Sequence, residues 1–167
     1  MTVLAAASAM VAAPMFSAWQ ARDRVDGAAR ALLASLTLAR GEAIAHGGRV
    51  VVCPVDATAR CVPNAHPCAR GPQGWSCGWA VVSERGRSGR ALRVYPRVSG
   101  VSIAAGSGHV EFTPPAGQVI GGFRKFELAA AGNIAPNDGE GLRRCIRIAA
   151  GGRARLERGS CDGRRGA

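Results

Sequence analysis

Residues 38–54, LARGEAIAHGGRVVVCP, contain the change of pattern that decides the fold. Before Gly47, apolar residues lie three and four positions apart, which is typical of one face of an α-helix. After Gly48, the run RVVVC is a short apolar segment that ends at Pro54, as in a β-strand. Glycine commonly follows the last turn of a helix. The sequence therefore predicts a helix that ends at His46 and leads directly into a β domain.

Upstream of this change, the sequence predicts one helix from near residue 2 to His46. An apolar stripe runs along its second half and consists of Val25, Ala29, Leu32, Leu36, Ala39 and Ala43. Residues 1–19 carry no charge and would extend roughly 28 Å as a helix. We interpret residues 1–19 as a membrane anchor or filament-core segment, followed by an amphipathic helix over 20–46. Two alternatives remain: a secretory signal peptide, which would need a basic start, and a buried hairpin of two core helices.

Downstream of this change, short apolar runs are bounded by glycine, serine or proline. They predict strands near residues 49–53, 79–83, 91–95, 101–104, 110–112, 119–120, 123–129, 144–149 and 154–158. The pair Gly151-Gly152 predicts that the last two runs form a hairpin. Many short strands favour an antiparallel sheet or sandwich over residues 49–167. The predicted fold class is α+β, with the long helix packed on this β domain, so that residues 20–167 form one unit.

Six cysteines in 167 residues indicate either disulfides or a metal site. The metal alternative is a zinc site with the ligands Cys61, His66, Cys68 and Cys77. It lacks the closely spaced cysteine pairs that zinc sites favour. Local loop closure instead favours the bridges Cys53–Cys61, Cys68–Cys77 and Cys145–Cys161. We therefore expect no metal and no other cofactor.

The net charge and composition of the chain favour some classes of ligand and function and exclude others. Lys and Arg number 22 against 11 Asp and Glu, which gives a net charge of +11 and predicts attraction to polyanions such as nucleic acid or anionic lipid. A hydrophobic content of 47% excludes a disordered polycation, and an aromatic content of 5% argues against a base-stacking surface. The three histidines are scattered and the sequence contains no G-x-S-x-G motif, so we expect no enzymatic activity.

Arginine is concentrated near the C-terminus. The residues concerned are Arg143, Arg144, Arg147, Arg153, Arg155, Arg158, Arg164 and Arg165. Because residues two apart in a strand share a face, Arg153 and Arg155 are predicted to point the same way. Clustered guanidinium groups can hold a phosphate backbone without reading its base sequence. The alternative is a solvated strand edge whose charge discourages aggregation.

Five stretches, in this order, resemble the FimT/GspH-type minor pseudopilins of type IV pili and type II secretion systems. They are LARGEAI at 38–44, RVVVCP at 49–54, GWSCGW at 74–79, CIRI at 145–148 and GRAR at 152–155. The resemblance covers nearly the whole chain and implies a pilin-like fold. It also implies a single-pass helix in the inner membrane that later packs in the filament core. The β domain would lie in the periplasm and then in the pilus or pseudopilus, which for a pilus extends to the cell surface.

The resemblance also implies partners and a function. Family members are cleaved and methylated by a prepilin peptidase and assemble with other pilins or pseudopilins. The family's cleavage-site glycine and the glutamate near its mature N-terminus have no counterpart here, so we expect the natural chain to start further upstream. In some FimT-type proteins a G-R-x-R element is associated with DNA capture during natural transformation, and the matching residues here are Gly152, Arg153 and Arg155.

We therefore predict a minor pilin of a type IV pilus that primes or caps the filament and binds DNA for uptake. Its predicted DNA-binding set is Gly152 together with the C-terminal arginines named above. The alternative is a GspH-like pseudopilin of a type II secretion system that does not bind DNA.

Overall fold

A computed structural model of the protein describes residues 2–56, 58–62, 74–84, 89–131 and 141–162, with helix side chains from Phe16 onwards. One α-helix, α1, covers Thr2–His46, and its 45 residues extend about 67 Å. Gly47 follows with a φ of +61°, the left-handed conformation that ends many helices. The prediction of one continuous helix is confirmed, and the alternative of a two-helix hairpin is wrong. Within the described ranges, no helix has both the length and the apolar character needed to cross a membrane.

The C-terminal half of α1 carries the face that packs on the β domain. Its buried apolar side chains are Val25, Ala28, Ala29, Leu32, Leu36, Ala39 and Ala43. These positions repeat every three or four residues and therefore form one stripe along the helix. Ser35 lies in this stripe, where its hydroxyl accepts a 2.8 Å hydrogen bond from Nε1 of Trp79 and donates one of 2.9 Å to the carbonyl of Ala31. This hydrogen bond joins α1 to the sheet, and both buried polar groups, the Ser35 hydroxyl and the Trp79 indole N–H, have a partner.

Nine strands lie in the described residues. They are β1 (Val50–Pro54), β2 (Gly78–Ser83), β3 (Arg90–Pro96), β4 (Val101–Ala105), β5 (Val110–Thr113), β6 (Gln118–Val119), β7 (Arg124–Ala130), β8 (Arg143–Ile148) and β9 (Ala154–Arg158). These strands form two antiparallel sheets, with the orders β3-β2-β1-β5-β6 and β4-β7-β8-β9. The α+β class is confirmed, and the predicted strands are found close to their predicted bounds.

Both sheets pack on α1 and share one hydrophobic core. A single turn of 3-10 helix, Gly74–Cys77, precedes β2 and inserts Trp75 into this core. The Trp75 ring meets Phe126 of the second sheet edge-on, with ring centroids 4.7 Å apart. Its Nε1 donates a 3.0 Å hydrogen bond to the carbonyl of Ser107. The second sheet, β4-β7-β8-β9, is therefore fixed on its inner face by the helix and by Trp75.

Two predicted disulfides are present: Cys53–Cys61, and Cys145–Cys161 across the end of the β8–β9 hairpin. Cys77 is also disulfide-bonded, while its predicted partner Cys68 lies outside the described residues. The zinc alternative is wrong, because Cys61 and Cys77 are both oxidised. Of its remaining two ligands, Cys68 and also His66 lie outside the described residues. In the part of the chain that the structure describes, no group of three or more His, Cys, Asp or Glu residues could hold a metal ion.

Candidate nucleic-acid interface

The face of the second sheet that points away from α1 carries several of the C-terminal arginines. On β8, Ile146 and Ile148 are buried toward α1, whereas Arg147 between them is exposed on the opposite face. Arg153, directly before β9, and Arg155, within it, are both exposed and alternate with the half-buried Ala154. These orientations agree with the expectation from strand alternation. The hairpin therefore presents Arg147, Arg153 and Arg155 on one surface.

Strand register brings cations from three neighbouring strands into a row. Arg147 pairs with Arg155 of β9 on one side and with Lys125 of β7 on the other. Directly opposed side chains in a sheet have Cβ atoms only about 4.5–5.5 Å apart, so like charges in such a row repel one another. The same repulsion makes the row a favourable place for an anion, whose charge offsets that of several cations at once.

Acidic side chains offset some of these cations. Lys125 Nζ lies 2.6 Å from Asp162, and Arg143 Nη1 lies 2.7 Å from Glu127. The hydrogen bond from Lys125, together with its charge, holds the pKa of the Asp162 carboxyl below its usual value, which favours the charged carboxylate.

The arginines of the hairpin differ in their partners. Arg147 Nε lies 3.2 Å from Glu157, and its Nη2 donates to the carbonyl of Cys161. Arg153 and Arg155, by contrast, form no ion pair within the described ranges. They are therefore the cations on this face of the hairpin that are most available to an external anion.

Lys125, Arg147, Arg153 and Arg155 line a groove of about 750 Å³, which we call the basic groove. Its lining residues are Gly106, Phe123, Arg124, Lys125, Arg147, Ile148, Ala149, Arg153, Arg155 and Glu157. Five of these side chains are cationic and only Glu157 is acidic. The groove can therefore attract a polyanion, and its concave shape allows several cations to approach the same phosphate group.

The turn between β6 and β7 contributes residues that the sequence reasoning did not assign to the site. Phe123 lies outside β7, although the sequence predicted it as the first strand residue, and its side chain is 80% exposed beside the groove. Arg124 holds this turn through Nη1 to the carbonyl of Gly121 (2.7 Å) and Nη2 to that of Ile120 (3.0 Å). Its side chain thus holds the backbone of the turn from which the Phe123 side chain projects.

Arg144 is a member of the predicted DNA-binding set, but it does not line the basic groove. Its side chain is buried on the helix side of the sheet, where it forms an ion pair with Asp26 of α1. Arg158, its cross-strand partner on β9, is exposed but follows the same alternation and therefore lies on the face opposite the basic groove. Arg143 is exposed on the groove face but lies outside the groove lining and pairs with Glu127. Arg164 and Arg165 lie outside the described residues.

Gly152 does not line the basic groove, and its role is to allow close packing of the backbone. Its φ of +78° falls in the left-handed region, and it is buried. A Cβ added there would lie 1.8 Å from the carbonyl oxygen of Gly117 in the turn between β5 and β6. The backbone amide of Val119 also donates to the carbonyl of Ala150, at 3.0 Å. The glycine of the GRAR stretch thus lets the hairpin pack against the first sheet, and this packing positions the arginines that follow.

The sequence carried one signal for the additional groove residues. Lys125 is the only lysine of the chain and lies in a predicted strand, whose alternation would place it on the face opposite Phe126, although the sequence reasoning did not draw this conclusion. Its pairing with Arg147 depends on the register between β7 and β8, which the long intervening segment left open.

A long helix whose C-terminal half packs on two antiparallel sheets defines a pilin-type subunit. Two crystal structures of the type IV minor pilin FimU of Pseudomonas aeruginosa PAO1, in space groups P21 and P65, are similar to it, with TM-scores of 0.59 and 0.56. Each is 20% identical; the matches cover 81% and 79% of this chain and 90% and 91% of FimU. No curated protein sequence matches the chain.

Residues 28–152 match the family described as "Type II transport protein GspH". The chain therefore belongs to this family of minor pilins and pseudopilins, which are structural subunits of type IV pili and type II secretion systems.

Proposed function

We propose that the protein is a minor pilin of a type IV pilus-like filament and binds DNA in the basic groove, independently of sequence. One observation carries this proposal: Arg153 and Arg155 are exposed on one face, without an ion pair within the described residues, and share a groove with Lys125 and Arg147. The alternative for this arginine cluster, a solvated strand edge whose charge discourages aggregation, would not need these cations to line one groove.

The proposed binding is electrostatic. Each arginine that contacts a phosphate releases counterions from the DNA, and the guanidinium group can donate two hydrogen bonds to one phosphate. The row of cations formed by Lys125, Arg147 and Arg155 runs across the strands, so it can follow a phosphate backbone laid over the sheet. Filament retraction would then pull the bound DNA inward for uptake in natural transformation. No cofactor takes part in this mechanism.

The N-terminal part of α1 serves the filament in this proposal. Residues 1–19 would anchor the protein in the inner membrane before assembly and pack in the filament core afterwards, while the β domain lies in the periplasm. The buried stripe of α1 begins at Val25, whereas Phe16 and Trp19 are exposed in the isolated chain and available to neighbouring pilins. Prepilin peptidase would be the enzyme that processes the protein.

The second candidate is a GspH-like pseudopilin of a type II secretion system without DNA binding. The description of the matching family favours it. In that case the basic groove would contact other pseudopilins or an acidic region of an exported protein. The two candidates differ in whether the purified protein binds DNA.

The test measures DNA affinity of the oxidised full-length protein, in a non-ionic detergent, across a salt series. For the wild type, log affinity should fall linearly with log salt concentration. Arg153→Ala/Arg155→Ala should bind DNA roughly 10- to 30-fold more weakly at about 0.15 M salt, with a slope shallower by about one to two units, because two phosphate contacts are lost.

The matched control is Arg90→Ala/Arg93→Ala, which removes the same charge from β3 of the other sheet. It should change affinity much less, because these exposed arginines lie outside the basic groove. Equal weakening by both double variants would mean that only net charge matters. Negligible binding by the wild type would contradict the DNA-binding proposal and favour the secretion pseudopilin.

A further inference from the structure

We infer that the basic groove binds single-stranded DNA in preference to duplex, with one unpaired base stacked on Phe123. This inference rests on the proposed function and specifies its ligand. It arises from an aromatic ring that is 80% exposed at the rim of a groove lined by five cationic side chains. A positively charged groove combined with an exposed aromatic ring is the arrangement that binds single strands without sequence preference.

The position of Phe123 favours a base as its ligand. The ring belongs to the turn before β7, and two hydrogen bonds from Arg124 to carbonyls of this turn hold the backbone that presents it. Arg153 and Arg155 line the same groove and are available to phosphates. A strand whose phosphates lie along these arginines can therefore place a base against the ring.

The size of the groove separates single strands from duplex. Its volume of about 750 Å³ lies within the roughly 300–1,000 Å³ typical of sites for small ligands, so an unpaired nucleotide can enter it. A duplex keeps its base faces inside the stack and can touch only the rim with its phosphates. Stacking on Phe123 would then require unpairing a base, which opposes duplex binding.

The experiment measures affinity of the full-length protein for an unstructured single strand of about 16 nucleotides and for a duplex of equal length. The wild type should bind the single strand more tightly. Phe123→Ala should weaken single-strand binding by roughly 5- to 100-fold and leave duplex binding nearly unchanged, because loss of one stacked base has an effect of this size. Phe16→Ala, which removes another exposed phenylalanine, on α1, should change neither affinity.

A spectroscopic variant tests stacking directly. In Phe123→Trp, single-stranded DNA should quench the indole emission far more than the duplex does. The inference is overturned if Phe123→Ala leaves single-strand affinity unchanged or weakens both ligands equally, while Arg153→Ala/Arg155→Ala still weakens binding. The proposed function would survive that result. Absence of binding to both ligands by the wild type would overturn the proposed function as well.

Discussion

Arg144 of β8 and Asp26 of α1 form a two-point ion pair between the second sheet and the helix. Nη2 of Arg144 lies 3.0 Å from Oδ2 of Asp26, and Nε donates to Oδ1. The Arg144 side chain is 6% exposed, while that of Asp26 is 27% exposed. Nη1 of Arg144 donates to the carbonyl of Gly141 at 3.1 Å, so each nitrogen of this guanidinium group has an acceptor. A basic residue of the C-terminal cluster thus serves to attach the helix.

Removal of the carboxylate should destabilise the fold, because it leaves the Arg144 charge buried without a partner. We expect Asp26→Ala to lower the free energy of unfolding by about 2–4 kcal/mol, toward the lower end of the range for buried pairs because Asp26 is partly exposed. Urea denaturation followed by circular dichroism measures this change. DNA affinity should stay at the wild-type value under folding conditions, since Arg144 lies on the helix side of the sheet.

Two further variants separate charge burial from other effects. Asp23→Ala removes an exposed carboxylate from the same helix and should change stability by less than about 0.5 kcal/mol. Asp26→Leu/Arg144→Met removes both charges and should recover much of the stability, because an apolar pair avoids the desolvation cost. A double variant as unstable as Asp26→Ala would show that the ion pair itself has a large net stabilising effect.

Much of the architecture followed from the sequence, for physical reasons. The stripe from Val25 to Ala43 and the glycines after His46 are local signals, so the helix and its end were predictable. The strands were predictable for the same reason. The pairing of strands into two sheets depends on contacts between distant residues, which periodicity does not contain.

The prediction of the candidate site from the sequence was limited in the same way. Alternation predicted that Arg153 and Arg155 share a face. The same alternation, applied to Arg144 and Arg158, would have placed them on the opposite face, but the prediction grouped all four arginines by their proximity in the sequence. The exposure of Phe123 depends on the turn that Arg124 holds, and no local pattern distinguishes this phenylalanine from one in a strand.

If DNA binds in the basic groove as proposed, Asp162 would compete with a bound phosphate for Lys125. Because the lysine holds the pKa of this carboxyl below its usual value, the aspartate is charged at neutral pH and neutralises one cation of the groove. We expect Asp162→Asn to raise DNA affinity about fivefold near 0.15 M salt and to steepen the salt slope by up to about 0.9. Fluorescence anisotropy with labelled DNA measures both quantities.

The control for this prediction is Glu84→Gln, which removes one acidic charge beside Arg49, away from the groove. It should change affinity by less than the groove variant. Lowering the pH through the depressed pKa of Asp162 should neutralise that carboxylate, so the affinity gain of Asp162→Asn should shrink in acid. An equal gain from both variants would indicate a general charge effect instead.

We expect that Gly152 cannot be replaced by a residue with a side chain, whereas its neighbour Gly151 can. In Gly152→Ala the new Cβ would collide with the Gly117 carbonyl, and the φ of +78° adds strain of about 1–3 kcal/mol. We expect a loss of stability of at least that size and weaker DNA binding, because the hairpin moves. Gly151→Ala has no atom within 4 Å of its Cβ and should be close to neutral in both assays. Equal stability of the two variants would contradict the proposed packing of the hairpin on the β5–β6 turn.

The Cys145–Cys161 bridge holds the chain after β9 against the basic groove. Cys161 provides the carbonyl that accepts a hydrogen bond from Arg147, and the next residue, Asp162, pairs with Lys125. Cys145→Ala/Cys161→Ala should lower the free energy of unfolding by about 3 kcal/mol, since the bridged residues are 16 apart.

Loss of this bridge should not weaken DNA binding, because it frees Arg147 and Lys125 from their partners. Cys53→Ala/Cys61→Ala is the matched control. Its residues are 8 apart, so the loss of stability should be about half a kcal/mol smaller. DNA affinity should not change in this control, because neither cysteine lines the groove. If the Cys145 and Cys161 variant binds DNA more weakly while still folded, the bridged segment contributes to binding rather than competing with it.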